Sequence, residues 1–120
     1  MKRVLVVDDE ALFADNVRVY LERKSYCVQV ANDGKSAISM VRDFQPDVLL
    51  LDYRLPDMTG FDVFDAISSE RTFASILTTS HPADEVYRGA VERNIRSLLF
   101  KPFALSELAA MLDKLCTAKN

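Results

Sequence analysis

Two runs of four apolar residues, each ending at an aspartate, constrain this chain more than any other feature. Val4-Leu5-Val6-Val7 stops at Asp8-Asp9-Glu10, and Val48-Leu49-Leu50-Leu51 stops at Asp52. A strand with one wet face alternates polar and apolar residues. A short unbroken apolar run between turn signals fits a strand buried on both faces. Pro46 precedes the second run, and Pro56 and Gly60 follow it. Asp52 then stands at the carboxyl end of a central strand, the end at which open α/β sheets bind ligands. An aspartate there is also a common turn residue, so its role depends on what the rest of the chain brings beside it.

The remaining segments supply the cover that such strands need. Residues 10–24 read as a helix, with Phe13, Val17, Tyr20 and Leu21 on one face and Asp15, Arg18, Glu22 and Arg23 on the other. Cys27–Ala31 is a short strand carrying β-branched Val28 and Val30, and Asn32-Asp33-Gly34 is a turn. Residues 35–45 predict a helix with Ala37, Ile38, Val41 and Phe44 inward, stopped by Pro46. After the Asp52 strand, residues 59–69 predict a third helix, with Phe61, Phe64 and Ile67 on one stripe and Val63 beside it. Ala74–Thr79 is a fourth strand, diluted by Ser75 and Thr78. His81-Pro82 breaks the chain, with Pro82 suited to the start of a helix running to about Asn94, a left-handed C-terminal position. Residues 96–100 are a fifth strand, Lys101-Pro102 a further break, and Leu105, Leu108, Leu112 and Leu115 mark the last helix.

Five repeats of strand then helix imply a parallel sheet covered on both faces through right-handed crossovers. The expected fold is α/β, a flavodoxin-like doubly wound (βα)5 with strand order 2-1-3-4-5. That order reverses direction between strands 1 and 3, so Asp8, Asp9 and Asp52 should meet in one crevice.

Size and composition agree with a single domain over residues 1–120. The chain is long enough for one core and too short for two, and 49% of its residues are hydrophobic. A net charge of −3 argues against direct nucleic-acid binding by this domain. Cys27 and Cys116 form no CxxC or His/Cys cluster, so a reduced, cytoplasmic setting is expected rather than a zinc site or a disulfide scaffold. Met1-Lys2-Arg3 followed by four apolar residues is too short for a signal peptide or a membrane span. The chain stops soon after the last helix, at Ala118-Lys119-Asn120, and reads equally as a stand-alone domain or as the first part of a longer protein.

Three carboxylates within a few ångströms repel one another, so either some hold protons or a cation sits among them. An all-oxygen donor set suits a hard ion such as Mg²⁺. Such an ion neutralises an incoming phosphoryl group, and a carboxylate such as Asp52 is a competent phosphoryl acceptor. Thr79, at the end of strand 4, can hydrogen-bond a phosphoryl oxygen, and Lys101, at the end of strand 5, can pair with it as a point charge. Singly these are ordinary, a structural threonine and a solvated lysine. Jointly, an acid pair, an acid, a hydroxyl and an amine end strands 1, 3, 4 and 5.

Val6-Val7-Asp8-Asp9-Glu10, the stretch from Leu50-Leu51-Asp52-Tyr53-Arg54 through Leu55-Pro56-Asp57-Met58-Thr59-Gly60, Thr79-Ser80 and Lys101-Pro102-Phe103 resemble the receiver domains of two-component response regulators. The resemblance covers the whole chain. It implies that Asp52 is the phosphoacceptor and that Asp8, Asp9, Asp52 and the backbone carbonyl of Arg54 hold Mg²⁺ or Mn²⁺. It makes Thr79 the switch hydroxyl and Lys101 the family's lysine. It further implies a bacterial signalling protein, with a sensor histidine kinase or histidine phosphotransfer protein as phosphodonor. An output domain or downstream protein would read a switched helix 4/strand 5/helix 5 surface, and a phosphorylation-dependent homodimer is a further expectation. The domain would gain and lose a phosphoryl group rather than turn over as an enzyme.

The family usually carries an aromatic residue three positions before the lysine, where this chain has Leu98. Phe100 lies on the same strand face, and both read most simply as packing under the fourth helix. His81 is either a side chain tuning the phosphoryl site or an exposed residue at a helix entry, and the Arg54 side chain either overhangs the pocket or is solvated. Ala104 stands where relatives carry a helix cap, which predicts a frayed start to the last helix. Tyr87 and Val91 are candidates for a dimer or effector surface, against an ordinary helix face. Three other functions were weighed. A flavin carrier conflicts with Asp8-Asp9-Glu10 after strand 1. A Mg²⁺-dependent phosphatase conflicts with Arg54 two residues past Asp52. A receiver-like interaction module acting without phosphorylation is kept open by Leu98.

Overall fold

The apolar runs form the middle of a sheet covered on both sides. The computed structural model describes residues 2–70, 73–81 and 83–117. Its elements are β1 (Arg3–Val7), α1 (Ala11–Arg23), β2 (Cys27–Ala31), α2 (Gly34–Phe44), β3 (Val48–Asp52), α3 (Gly60–Ile67), β4 (Ala74–Thr79), α4 (Asp84–Glu92), β5 (Ser97–Phe100) and α5 (Leu105–Thr117), with a 3-10 turn after α3. All strands are parallel in the order β2-β1-β3-β4-β5, as the repeat pattern predicts. Among the described residues no helix is long and apolar enough to cross a membrane.

Strand alternation divides the core in two. Val4, Val6, Val48, Leu50, Ile76 and Leu99 pack with Ala14, Val17 and Leu21 of α1 and with Leu108 and Leu112 of α5. Leu5, Val7, Leu49, Leu51 and Leu77 take the other face, under residues of α2, α3 and α4. The run of residues 48–51 is continuous because neither face of β3 meets water. Fully burying each such side chain is worth roughly 1.5–3 kcal/mol. α3 and α4 touch where Gly89 leaves room for the Phe61 ring. Arg93 lies 4.3 Å over that ring and bonds both carboxylate oxygens of Asp65, at 2.9 and 2.8 Å.

Several element ends differ from expectation by a residue or more, for local reasons. Asp33 caps α2 through Ser36 N–H (2.7 Å), so the helix begins at Gly34, and it closes on Gln45 at φ 51°. Thr59 caps α3 in a reciprocal box with Asp62 and therefore precedes the helix rather than opening it. α4 starts at Asp84 after Ala83, and its early acids suit the positive helix end. Pro82, which was expected to open it, lies outside the described residues. α4 ends at Glu92, and Asn94 takes the expected left-handed conformation at φ 59°. β5 omits Arg96, because its first register partner is Ile76 opposite Ser97.

The missing cap at the start of α5 is partly offset. Ala104 offers no side-chain cap, but Glu107 Oε1 accepts the Ala104 N–H (3.2 Å), and the Ala104 carbonyl accepts from Glu107 and Leu108. Half of a capping box is thus present. Ala104→Asp should complete it and add about 1 kcal/mol, raising the melting temperature by roughly 4 °C in a domain of this size. Thermal denaturation monitored by circular dichroism measures this.

Candidate functional site

Register and alternation select which residues meet. β1 and β3 are paired through Val7 and Leu51, so the next residues along, Asp8 and Asp52, leave the sheet side by side. Both follow the parity of Val6 and Leu50 and therefore face α1 and α5, and Lys101, two residues past Leu99, joins them on that side. Thr79 has the opposite parity, that of Leu77, and is the register partner of Phe100. The sheet edge thus presents acids and amine from one face and the hydroxyl from the other.

Asp8 and Asp52 are 2% and 6% exposed, Thr79 is buried, and Asp9 is exposed. Carboxylate oxygens of Asp8, Asp9 and Asp52 lie within 4.8 Å of one another. That spacing and the all-oxygen donor set fit a hard divalent cation. The Lys101 ammonium sits among the acids. It is 2.7 Å from Asp8 Oδ2, 3.1 Å from Glu10 Oε1 and 3.5 Å from Asp52 Oδ2, and 4.8 Å over the Phe13 ring. A cavity of about 250 Å³ opens beside Asp52, lined by Asp9, Glu10, Asp52, Arg54, Thr79, Ser80, His81 and Lys101.

Burial, and then the nearby charge of Asp8, push the Asp52 carboxyl up from 3.8 to about 6, against the pull of Lys101. Burial also works against the Lys101 ammonium. Its hydrogen bond to Asp8 and the charge of Asp52 outweigh that and hold it above its ordinary value.

The loop after β3 brings α3 close beneath Asp52. Gly60 N–H donates to Tyr53 O at 2.7 Å, and a Cβ on Gly60 would lie 2.6 Å from the Asp52 carbonyl oxygen. Only glycine permits this approach.

Asp8, Asp9, Asp52, Thr79 and Lys101 therefore come together as expected. Arg54 and His81 stand exposed at the rim. Thr79 Oγ1 accepts the His81 backbone N–H at 3.2 Å, so the contact with Thr79 is made by the His81 main chain. Leu98 packs against the core beneath α4, as expected. Phe100 is covered only in part: it is 38% exposed, its ring 5.8 Å from that of Tyr87 on α4. Tyr87 and Val91 are exposed.

Two contributors were missed. Glu10, the third acid after β1, reaches Lys101, and its place directly after Asp8-Asp9 was the available signal. Asp57 accepts hydrogen bonds from Gly34 and Lys35, a long-range contact with no signature in local spacing.

Residues 4–113 match the family model of the response regulator receiver domain. This chain belongs to that family. The receiver is 36% identical over 113 residues to TcrX of Mycobacterium tuberculosis, named a probable transcriptional regulatory protein, covering 93% of this chain and 48% of TcrX. It is 31% identical to the DNA-binding response regulator MtrA of the same organism, covering 91% of this chain and 48% of MtrA. The chain spans about half the length of these curated relatives. The solved receiver domain of HemR from Leptospira biflexa superposes with a TM-score of 0.89 at 25% identity, over 98% of this chain and 95% of that one. Chemotaxis protein CheY4 of Vibrio cholerae gives 0.88 at 25% identity, over 96% and 98%.

Because the folded receiver holds the Asp52 proton more tightly than the unfolded chain, metal-free stability should fall as pH rises from about 4 through 6. Partial solvation trims this effect to about 1 kcal/mol. Asp52→Asn removes the charge. It should therefore melt with wild type near pH 4, exceed it by roughly 4 °C above pH 6, and lose that advantage at pH 7 in saturating Mg²⁺. Differential scanning calorimetry across pH, with and without Mg²⁺, checks the pattern.

Proposed function

We propose that this receiver accepts a phosphoryl group on Asp52 from a histidine phosphodonor, in a reaction dependent on Mg²⁺ or Mn²⁺, and so controls an output. The carrying observation is a buried carboxylate, pushed up to about 6, between two further carboxylates and an ammonium. At pH 7 Asp52 is mostly ionised and nucleophilic. One of its oxygens attacks the phosphorus of a phosphohistidine. The phosphorus–nitrogen bond breaks as the phosphorus–oxygen bond forms, and the departing imidazole nitrogen keeps the electron pair and takes up a proton from water. Asp8, Asp9, Asp52 and, by family resemblance, the Arg54 carbonyl would hold the divalent ion, which supplies positive charge against the phosphoryl oxygens. Lys101 exchanges its bonds to Asp8 and Asp52 for one to a phosphoryl oxygen. Thr79 Oγ1 turns from the His81 N–H toward the same group.

The state then leaves through α4, β5 and α5. Phe100 is the register partner of Thr79 and touches Tyr87 on α4, which gives the hydroxyl's movement a physical neighbour despite Leu98. The recipients are an output domain, a downstream protein or a second copy of the receiver. Relatives named as DNA-binding response regulators are about twice as long, which supports an output module elsewhere in the native polypeptide. The setting is cytoplasmic, where a kinase's phosphohistidine is accessible. The phosphoryl group is lost to water as inorganic phosphate, so the domain is a timed switch rather than a turnover enzyme.

Adding beryllofluoride and Mg²⁺ should shift amide NMR signals around Asp52, Thr79 and Lys101 and extend the shifts to Tyr87 and Phe100. Asp52→Ala should show none of this. Identical spectra for the two proteins would favour an interaction module that works without phosphorylation.

A further inference from the structure

The loop of residues 53–60 behaves as one piece. Gly60 N–H bonds Tyr53 O (2.7 Å), Leu55 N–H bonds Met58 O (3.1 Å), and Arg54 pairs with Thr59 in an antiparallel bridge. Asp57, at its tip, reaches across 22–23 residues of sequence to the start of α2. Its Oδ1 accepts from Gly34 N–H at 2.8 Å and its Oδ2 from Lys35 N–H at 3.0 Å. These are two of the amide donors that a helix N-terminus leaves without intrahelical partners. The next, on Ser36, is taken by Asp33 at 2.7 Å. Met58 packs so closely over Gly34 that a Cβ there would collide with its side chain.

The segment that receives Asp57 is tied in turn to the acid pair. Asn32 Nδ2 donates to the Asp8 carbonyl at 2.9 Å, and Asp8 N–H donates to Ala31 O at 3.0 Å. Residues 31–35 therefore brace the two walls of the site against each other, Asp8 on one side and the loop bearing Arg54 on the other. The brace meets the loop through the Asp57 carboxylate, a directional contact, and the Met58 side chain, which packs without one.

We infer that Asp57 is a positioning residue for the site, holding the loop of residues 53–60 in register with Asp8 so that Arg54 and Asp52 keep a cation-binding geometry. The inference rests on the function proposed above. Groups that orient metal ligands from outside typically carry 10–100-fold in affinity. Asp33 supplies a control, since it caps the same helix through Ser36 and, among the described residues, makes no hydrogen bond to the loop.

The test is Mg²⁺ titration followed by amide NMR, on wild type, Asp57→Ala, Asp57→Asn and Asp33→Ala. Asp57→Ala should weaken Mg²⁺ binding about tenfold or more, and Asp57→Asn, which keeps one acceptor oxygen, should fall between it and wild type. Asp33→Ala should lower the melting temperature yet leave Mg²⁺ affinity within about twofold. Linkage is reciprocal, so in wild type Mg²⁺ should slow hydrogen exchange at Gly34 and Lys35, a reading that needs no variant. Equal affinity in wild type and Asp57→Ala, an Asp33→Ala loss as large as that of Asp57→Ala, or unchanged exchange at Gly34 and Lys35 would each overturn the inference alone. Absence of saturable Mg²⁺ binding in wild type would overturn the proposed function and the inference together.

Discussion

Repulsion between carboxylates at adjacent strand ends is the constraint around which this receiver is built. Asp8 and Asp52 are almost fully buried, with oxygens within 4.8 Å of one another and of Asp9. At that separation two charges near a protein surface repel by a few kcal/mol. The apolar strands beneath leave them no retreat, since β1 and β3 are held on both faces by side chains of all five helices. Lys101 relieves part of the strain by bonding Asp8 and lying near Asp52, while burial first, and then the charge of Asp8, raise the proton affinity of Asp52. A cluster of like charges of this kind is suited to a hard cation, which is the premise of the proposed phosphoryl transfer.

The two faces of the sheet divide the labour. Asp8, Asp52 and Lys101 point toward α1 and α5, while Thr79 and Phe100 follow the opposite parity toward α4. Two acids and the amine thus stand on one side of the edge and the hydroxyl on the other. Leu98 removes the usual aromatic from the second side. The exposed ring of Phe100 against Tyr87 leaves an aromatic pair at the place where β5 and α4 meet.

The fold was largely legible in the sequence because its signal is local and repeated. Unbroken apolar runs, turn residues and helical stripes each report on a few neighbours, and topology rules convert their order into a sheet. Element ends were read less well, because capping depends on single side chains. Asp33 and Thr59 turned out to be caps, and Glu107 compensates for Ala104. Of the candidate site, Asp8, Asp9, Asp52, Thr79 and Lys101 were legible because each ends a strand whose position the topology sets. Asp57 was not, because its partners Gly34 and Lys35 belong to another element.

By itself, the sequence determined the two-faced strands, their parallel order and the meeting of three acids, a hydroxyl and an amine at one edge. Strand periodicity and crossover handedness leave little freedom in those matters. Tertiary structure decided which groups touch. It set Lys101 on Asp8 and Glu10, exposed Phe100 beside Tyr87, and tied the loop after Asp52 to α2 through Asp57. Those contacts turn on distances of a fraction of an ångström between distant segments, and side-chain reach at that scale is settled only when the whole core has packed.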